Sequence, residues 1–461
     1  MSNGVVEKNL IYVTGTSSNQ INTGYKQTEI GFIPVDWEIT NLRDIAIFGG
    51  GTTPPRKFHE KYYVSGLHPW VKTLDLNNSL ILVTEEYVTN AALVETSLKK
   101  HPAGSVLIAM YGGFNQIGRT GVIKVDAAIN QALIAIIPKN SKLVSEYLLF
   151  NLNYNVEYWK GVASSSRKDP NITSNDVKNY LLALPSKKEQ TAIANALSDV
   201  DSLISELEKL IAKKQAIKTA TMQQLLTGRT RLPQFALRED GAPKGTKPSE
   251  LGEIPEDWEV HSLGDLCNYQ NGKAQEQYFN SNGGYKVVSI GNYSESGRYI
   301  DTGSYIDEKF KNEVGRFVLS RGDLAMILND KTAIGTIIGR VLLIEADETY
   351  VMNQRTMRLA PKGSVKSKYL HFLLNSDSVH KRIVGMAKPG TQIYVNTDDV
   401  LGFNLLISNS QEEQTAIATI LSDMDDEIQA LEQRLGKTRQ IKQGMMQELL
   451  TGKTRLPYDK E

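Results

Sequence analysis

The sequence predicts an α/β fold: two tandem mixed α/β domains with twisted sheets, separated by two long helices that form an antiparallel coiled coil with pseudo-twofold symmetry. Three observations predict it, namely an internal repeat, two long heptad patterns, and short apolar stretches typical of strands in each repeat. The chain has 461 residues, 40% of them hydrophobic and 23% charged, so it can bury two or three cores.

The chain contains two copies of one module. The connector Lys26–Glu38 returns as Lys247–Glu259, so that Trp37 corresponds to Trp258. Further landmarks repeat in the same order: Glu189–Ala194 as Glu413–Ala418, Asn130-Gln131 as Asn353-Gln354, Pro138-Lys139 as Pro361-Lys362 and Asp176-Val177 as Asp399-Val400. Most residues between them differ, which favours two domains with a common frame and different recognition surfaces. An old duplication kept only for stability is the alternative.

A long helix follows each domain. The capping boxes Ser186–Glu189 and Ser410–Glu413 predict where the helices start, and Thr227-Gly228 and Thr451-Gly452 predict where they stop. Apolar residues in both follow a 4-3-4-3-4 spacing, which is typical of a coiled-coil seam. The seam residues are Ile193, Leu197, Val200, Ile204, Leu207 and Ile211 in the first helix and Ile417, Leu421, Met424, Ile428, Leu431 and Leu435 in the second.

Charge predicts the relative direction of the two helices. Each helix is acidic in its early half and basic in its late half, so opposite charges meet only if the helices are antiparallel. Matching of each helix to its own dipole is the alternative explanation. An antiparallel pair would hold two recognition surfaces at a fixed separation.

These patterns place the boundaries along the chain. We expect a flexible N-terminal arm at residues 1–24, the first domain at 25–185, the first long helix at 186–228, a linker at 229–249, the second domain at 250–408, the second long helix at 409–452 and a tail at 453–461. Strands are predicted at Ser105–Ala109, Thr120–Val125 and Ala132–Ile137, and at Leu324–Leu328, Ile334–Ile338 and Thr356–Leu359.

Three loops in each domain carry hydroxyl, amide and basic side chains. Glycine-containing loops can bring backbone N–H groups close to phosphates, and Asn, Gln, Arg and Lys hydrogen-bond to base edges. An ordinary turn is the alternative for any single loop, but recurrence in both copies favours DNA. The candidate DNA-binding residues are Thr52, Thr53, Arg56, Lys57, Tyr111, Asn115, Gln116, Arg119, Ser166, Arg167 and Lys168 in the first copy, and Asn271, Lys273, Asn329, Lys331, Lys388, Thr391 and Gln392 in the second.

Composition argues against several classes of protein. One cysteine allows no internal disulfide, and six histidines show no metal-ligand spacing, so we expect no metal site. Gly452-Lys453-Thr454 lacks the earlier glycine of a nucleotide-binding loop, and we expect no catalytic residues. No stretch approaches the roughly 20 apolar residues of a membrane span, so we expect a cytoplasmic protein. Lys plus Arg equals Asp plus Glu at 52 each, without the basic excess usual in DNA-binding domains.

The two connectors, the two Glu-Gln-Thr-Ala-Ile-Ala helix starts, and the helix ends Leu225–Leu232 and Leu449–Leu456 together resemble the specificity subunits of type I restriction-modification systems. The resemblance extends from about Tyr25 to the C-terminus, and only residues 1–24 lack a counterpart. Base-contacting residues cannot be transferred, because the recognition domains of this family diverge widely.

The resemblance implies a non-catalytic subunit with two target-recognition domains, each reading one half of a bipartite, asymmetric site in double-stranded DNA. The helix pair would set the spacer and dock two adenine-N6 methyltransferase subunits, and restriction-translocase subunits would join the larger complex. S-adenosylmethionine, ATP and magnesium would be used by those partners, with no cofactor bound by this chain. There are two alternatives. The chain could be the specificity subunit of a combined restriction-methylation polypeptide, or it could be a coiled-coil scaffold with protein- or glycan-binding domains.

Overall fold

The computed structural model describes residues 24–113, 115–139, 142–164, 171–332, 334–388 and 392–457. The chain divides into two compact units: unit 1 comprises residues 1–206 and 435–461, and unit 2 comprises residues 207–434. Each unit therefore combines one mixed α/β domain with the early half of one long helix and the late half of the other, and each is described by itself.

Unit 1 contains thirteen described strands and six short helices. The strands are β1 Tyr25–Thr28, β2 Gly31–Pro34, β3 Glu38–Asn41, β4 Ala46–Gly50, β5 His68–Val71, β6 Ser79–Ile81, β7 Glu86–Val88, β8 Lys100–His101, β9 Val106–Ala109, β10 Thr120–Ile123, β11 Ala127–Ile129, β12 Leu133–Pro138 and β13 Leu181–Leu184. The helices are α1 Leu42–Ile45, α2 His59–Tyr62, α3 Asn90–Glu95, α4 Ser145–Tyr154, α5 Val156–Ser164 and α6 Ser174–Lys178. The long helix α7, Lys187–Leu225, begins in this unit and continues into unit 2.

Two sheets form the body of unit 1. The larger has the order β4-β12-β9-β10-β6 and is antiparallel apart from the parallel β10–β6 pair; the smaller has the order β7-β5-β11-β8. Strand β9 is buried along its whole length, as expected for a central strand whose two faces are covered. Helix α4 packs on the larger sheet and buries Tyr147, Leu148 and Phe150.

Unit 2 repeats this plan with different detail. Its strands are β14 Thr246–Ser249, β15 Gly252–Pro255, β16 Trp258–Ser262, β17 Cys267–Asn271, β18 Phe279–Asn280, β19 Tyr285–Val288, β20 Tyr305–Ile306, β21 Leu324–Ile327, β22 Asn329–Asp330, β23 Val341–Leu343, β24 Tyr350–Met352, β25 Thr356–Pro361, β26 Ile393–Tyr394 and β27 Asn404–Ser408. Its helices are α8 Leu263–Leu266, α9 Lys311–Val314, α10 Ser367–Leu374, α11 Asp377–Met386 and α12 Thr397–Leu401, followed by the second long helix, α13 Gln411–Leu450. The main sheet has the order β17-β25-β21-β23, and a second has the order β18-β20-β19-β24.

The long helices pack against each other in an antiparallel arrangement within each unit, as the charge pattern predicts. In unit 2, Lys214 pairs with Glu427 at 2.6 Å and Lys218 with Asp425 at 2.7 Å, so numbering rises along one helix as it falls along the other. In unit 1, Lys442 pairs with Asp201 at 2.5 Å. Eight of the twelve predicted seam residues are buried, and Val200, Ile204, Met424 and Leu431 are half-buried. The predicted coiled-coil pairing is confirmed.

A buried glutamate joins the repeated motifs in each unit. In unit 2, Glu413 is 1% exposed and accepts hydrogen bonds from Trp258 Nε1 at 2.9 Å, from Ser408 Oγ at 2.6 Å and from Arg231 Nε at 2.7 Å. Arg231 also donates two bonds to Asp257, at 2.7 and 2.9 Å. We call Arg231, Asp257, Trp258 and Glu413 the unit 2 cluster. Every charged group in it has a partner, which is the condition for burying a charge at acceptable cost.

The same cluster recurs in unit 1, built from Asp36, Trp37, Glu189 and Arg455. Glu189 accepts hydrogen bonds from Trp37 Nε1 at 3.2 Å and from Arg455 Nη2 at 2.7 Å. Arg455 also donates two hydrogen bonds of 2.9 Å to the carboxylate of Asp36. Each cluster thus draws on the connector, the start of one helix and the segment after the end of the other. The likeness of the two clusters explains why these motifs are the best-preserved parts of the repeat.

The glutamine and the glycine of the repeated motifs have matching roles. Buried Gln190 accepts from Val144 N–H at 2.9 Å and donates to two backbone carbonyls, and Gln414 does the same around Lys366. Gly228 and Gly452 end the long helices with φ of +66° and +71°, and a Cβ at either would overlap a proline of the adjacent connector. Glycine is needed there both for the left-handed turn and for the close packing.

The sequence-based strand assignments hold with one exception. Strands form at five of the six predicted places, but residues 334–338 form turns, and the strand beside β21 is Val341–Leu343 instead. The carboxylate of Asp330 accepts backbone N–H bonds from Thr332 and Ile337, both at 2.8 Å, which folds this segment back on itself. Gly335 and Gly339 bracket the turn with positive φ. The strand predicted at residues 334–338 is wrong because these local hydrogen bonds and glycine conformations turn an apolar run whose composition resembles a strand.

Among the described residues, no helix combines the length and apolar character that crossing a bilayer requires. The predicted arm at residues 1–24 lies outside the described residues except for Gly24.

Replacing Arg231 with alanine should destabilise unit 2 by about 3–5 kcal/mol, because it leaves buried Glu413 without its counter-charge. The matched control is Arg238→Ala, which removes an exposed, solvent-screened ion pair with Glu256 and should leave protection close to that of the wild type. Hydrogen-exchange mass spectrometry in a urea series would report protection within residues 207–434. Equal loss of protection in the two variants would contradict a central role for the cluster.

Candidate nucleic-acid interface

The first and second predicted loops of unit 1 meet at one end of its main sheet. In the antiparallel register Gly50 lies opposite Ile134, Leu133 opposite Ala109, and Ile108 opposite Thr120. The same edge of the sheet therefore contains the C-terminal ends of β4 and β9 and the N-terminal ends of β12 and β10. The loops that follow β4 and β9 are brought together there by the register of the sheet. We call this surface the unit 1 loop end.

Backbone hydrogen bonds fix the two loops to the sheet. Thr52 N–H donates to Ile129 O at 3.0 Å, and a Cβ at Gly51 would overlap the carbonyl of Asn130, so the first loop lies directly on the turn before β12. Ile172 N–H donates to Met110 O at 3.0 Å. Ile172, in the described segment that follows residues 165–170, is therefore attached to the same edge.

The candidate side chains of the first loop have different surroundings. Thr52 Oγ1 is 3.1 Å from Ser97 Oγ, and Thr53 Oγ1 donates to Gln131 Oε1. Arg56 forms an ion pair of 2.7 Å with Glu86 and lies 4.2 Å from the centre of the Tyr63 ring, so its guanidinium is held inward by contacts within the unit. Lys57 is exposed beside Phe58. Lys57 is thus exposed without the ion pair that engages Arg56, whose side chain is itself 48% exposed.

The second loop of unit 1 is built around two glycines with positive φ, Gly112 and Gly113. Tyr111 is 43% exposed, and Asn115 is exposed beside it in the chain. Arg119 Nε donates to Asn115 O at 3.0 Å, which holds the guanidinium at the base of the loop. Gln116 is half-buried with its side chain against Gly112. A planar ring, amides and one guanidinium are thereby gathered on a single loop.

Unit 2 brings its predicted loops together in the same way. Asn271 ends β17 opposite Met357, and Ile327 ends β21 opposite Thr356, so both strands end at the edge where β25 begins. Strand β22 pairs with β26, and Lys388 pairs with Tyr394, which places the first two predicted loops and the described residues on either side of 389–391 at this edge. The resulting unit 2 loop end is the counterpart of the surface in unit 1.

The described unit 2 candidates lie on or beside this surface. Asn271, Lys273, Lys331 and Lys388 are exposed, whereas Asn329 and Gln392 are half-buried. Asn271 Oδ1 accepts from Thr397 Oγ1 at 3.2 Å, and Lys388 Nζ lies 3.7 Å from Asp399. Ser166, Arg167, Lys168 and Thr391 lie outside the described residues. The DNA contacts of all these candidates remain predictions.

The sequence reasoning did not select four other exposed residues at the loop ends. Gln131 and Gln354 occupy equivalent positions before β12 and β25, and each is hydrogen-bonded to the first loop of its unit, Gln131 through Thr53 and Gln354 through Glu276 at 2.8 Å. The other two residues, Arg355 and Tyr394, belong to unit 2 and are exposed there. The repeat itself contained a signal for Gln131 and Gln354, since both are landmarks shared by the two copies.

Charge at the loop ends is mixed. The sequence gives net charges of +2 for residues 1–185 and −2 for residues 246–408. Burial would raise the pKa of Asp330, but the N–H groups of Ile337 and Thr332 lower it, so a negative charge persists within the second loop of unit 2. A surface of this composition can donate hydrogen bonds from amides and isolated cations but offers little general attraction to phosphate.

No group of three or more His, Cys, Asp or Glu side chains within the described ranges is arranged to hold a metal ion. The single cysteine, Cys267, is buried beneath the main sheet of unit 2, and burial raises the pKa of its thiol to about 12. Its thiol is therefore protonated at neutral pH and is a poor nucleophile.

A model of the type I restriction modification DNA specificity domain matches the chain twice, at residues 34–219 and 255–443. The chain is 26% identical over 429 residues to the MjaVIII type I restriction enzyme specificity subunit of Methanocaldococcus jannaschii, an alignment covering 92% of this chain and 94% of the relative. It is 31% identical over 296 residues to the MjaIX specificity subunit of the same organism, covering 62% of this chain and 64% of the relative.

Solved structures share the fold. The crystal structure of the type I restriction-modification S subunit from M. genitalium superposes with a TM-score of 0.58 at 13% identity, covering 94% of this chain and 98% of that one. A chain from a study of complex assembly and conformational transition in the type I system gives a TM-score of 0.52 at 14% identity, covering 92% and 99%. With both domains matched and well over half of the chain covered, this protein belongs to the DNA specificity family of type I restriction-modification systems.

Proposed function

We propose that unit 1 and unit 2 each read one half of a bipartite, asymmetric site in double-stranded DNA. The observation that carries this proposal is the convergence of two polar loops at one end of the main sheet in both units of a chain from this family. The loops are held by backbone hydrogen bonds that recur between units, while their side chains differ. A common frame with different side chains suits the recognition of two different half-sites.

The long helices are proposed to set the number of unread base pairs between the half-sites. Their continuous length of 39 and 40 residues and their paired charges make them a stiff element whose length is fixed by sequence. We further propose that they dock two methyltransferase subunits and that restriction-translocase subunits join the complete complex. S-adenosylmethionine, ATP and magnesium would be bound by those partners and not by this chain.

The chain's charge supports a division of labour in DNA binding. Phosphate neutralisation supplies most non-specific affinity, and the near-neutral domains offer few cations for it. Partner subunits that close around the duplex would supply the rest. Co-purification from the native host distinguishes separate methyltransferase and restriction subunits from a combined restriction-methylation polypeptide.

Changing Arg119 to alanine should weaken recognition of the half-site read by unit 1 on the order of tenfold and leave the other half-site unaltered. Arg43→Ala is the matched control, since Arg43 is exposed at the opposite end of the same sheet. Methylome sequencing of cells carrying each variant provides the measurement. If both half-sites changed equally, the two units would not act as separate readers.

Lengthening both helices by one heptad should lengthen the spacer of the methylated site by about three base pairs. Seven residues add about 10 Å to a helix, and base pairs are about 3.4 Å apart. The insertions would go between Leu207 and Lys214 and, at the paired level, between Ile428 and Leu435, so that the seam stays in register. A methylated site with an unchanged spacer would refute the role of the helices as a ruler.

The isolated chain should bind its target DNA weakly, and addition of the methyltransferase subunit should tighten binding at least tenfold at 150 mM salt, because the partner adds phosphate contacts. Fluorescence anisotropy across a salt series would measure both affinity and its salt slope. The slope of log K against log salt should become steeper with the partner present. Equal affinities and slopes would count against the proposed division of labour.

A further inference from the structure

Arg355 has an unusual backbone position at the unit 2 loop end. It immediately precedes β25 and has a φ of +66°, in the left-handed region that residues with a Cβ seldom occupy. Its carbonyl accepts the N–H of Leu328 at 2.9 Å, which ties the starts of β25 and the second loop together. Local strain of this kind tends to persist where the surrounding structure holds it for a purpose.

The equivalent residue in unit 1 is Ala132, two residues after the landmark asparagine in each copy. Its carbonyl accepts the N–H of Met110 at 2.8 Å, so the same backbone bond forms without an arginine. The fold therefore does not require a long basic side chain at this place. The arginine distinguishes the surface of unit 2 from that of unit 1.

The side-chain amide of Gln392 orients the guanidinium of Arg355. Its Nη1 donates to Gln392 Oε1, and within the described part of the chain no carboxylate lies within ion-pair distance. By contrast, Arg231, Arg298 and Arg358 of the same unit are each paired with carboxylates at 2.7–3.1 Å. Arg355 is exposed, so it keeps its positive charge and its remaining donors for an external acceptor.

We propose that Arg355, oriented by Gln392, reads a guanine in the half-site recognised by unit 2. A guanidinium held from one side can donate two parallel bonds to O6 and N7 of guanine, an arrangement in the major groove that no other base offers. Exposed Tyr394 and Lys388 lie on the same loop end and would flank the contact. This inference rests on the proposed function and adds to it one residue, one position and one base.

The test measures methylation by the complete specificity and methyltransferase complex on a DNA library randomised across the unit 2 half-site. Arg355→Gly is the principal variant, because glycine accepts a φ of +66° without strain and the fold should be retained. Arg355→Lys keeps the charge but lacks the planar fork of parallel N–H donors that makes the paired bonds specific. Arg321→Ala is the matched control: it removes an exposed arginine of the same unit at the opposite end of β21.

We expect Arg355→Gly to reduce the preference for guanine at one position of this half-site on the order of 10- to 100-fold, leaving the other half-site unchanged. Arg355→Lys should lose most of that preference, and Arg321→Ala should behave as wild type. A uniform loss of methylation across all sequences, with a shallower salt slope, would identify a phosphate contact and overturn the proposal. An unchanged preference, or full preference with lysine, would also overturn it.

The wild-type complex separates this inference from the proposed function. If wild type methylates no bipartite motif, the proposed function itself fails. If wild type shows a bipartite motif that Arg355→Gly leaves intact, only the assignment of Arg355 fails.

Discussion

The buried glutamate at the start of each long helix is the interaction on which the rest of the structure depends. Glu189 and Glu413 are each 1% exposed, and each pairs with an arginine and accepts a hydrogen bond from a tryptophan N–H, which offsets the cost of burying a polar group. Those partners come from the connector ahead of the domain and from the segment after the opposite helix.

The aspartate of the unit 2 cluster makes its stability depend on pH. Burial would raise the pKa of Asp257, but hydrogen bonds from Arg231 and Lys244 lower it to about 2. The stabilisation from this carboxylate is therefore present above pH 4 and is lost only as the pH falls through about 2.

A fixed frame with variable ends follows from this constraint. The clusters hold the connector, the helix start and the helix end in both units. The loops at the unit 1 and unit 2 loop ends are held mainly by backbone hydrogen bonds. Side chains there can change without loss of the frame, as Ala132 and Arg355 show at equivalent positions. The neutral overall charge fits such a surface, because hydrogen-bond recognition of bases needs well-placed donors more than a general basic field.

The features of the fold that could be predicted from the sequence are those in which a single local rule determines which residue type is needed. The helix seams follow from apolar spacing, the direction of pairing from charge, and Gly228 and Gly452 from the need to end a helix. The error at residues 334–338 arose because Asp330 and two glycines turn an apolar run that resembles a strand. The convergence of the loops depends on strand register, which only the pairing reveals. Arg355 was missed because a single arginine before a strand belongs to no pattern.

The order of synthesis gives the cluster of unit 1 a further consequence. Unit 2 is one continuous stretch, residues 207–434, so all members of its cluster are synthesised before Arg455. Unit 1 is discontinuous, since Glu189 must wait for Arg455, which follows it by 266 residues. The first domain is therefore completed after the second, because Glu189 gains its arginine only once Arg455 has been synthesised.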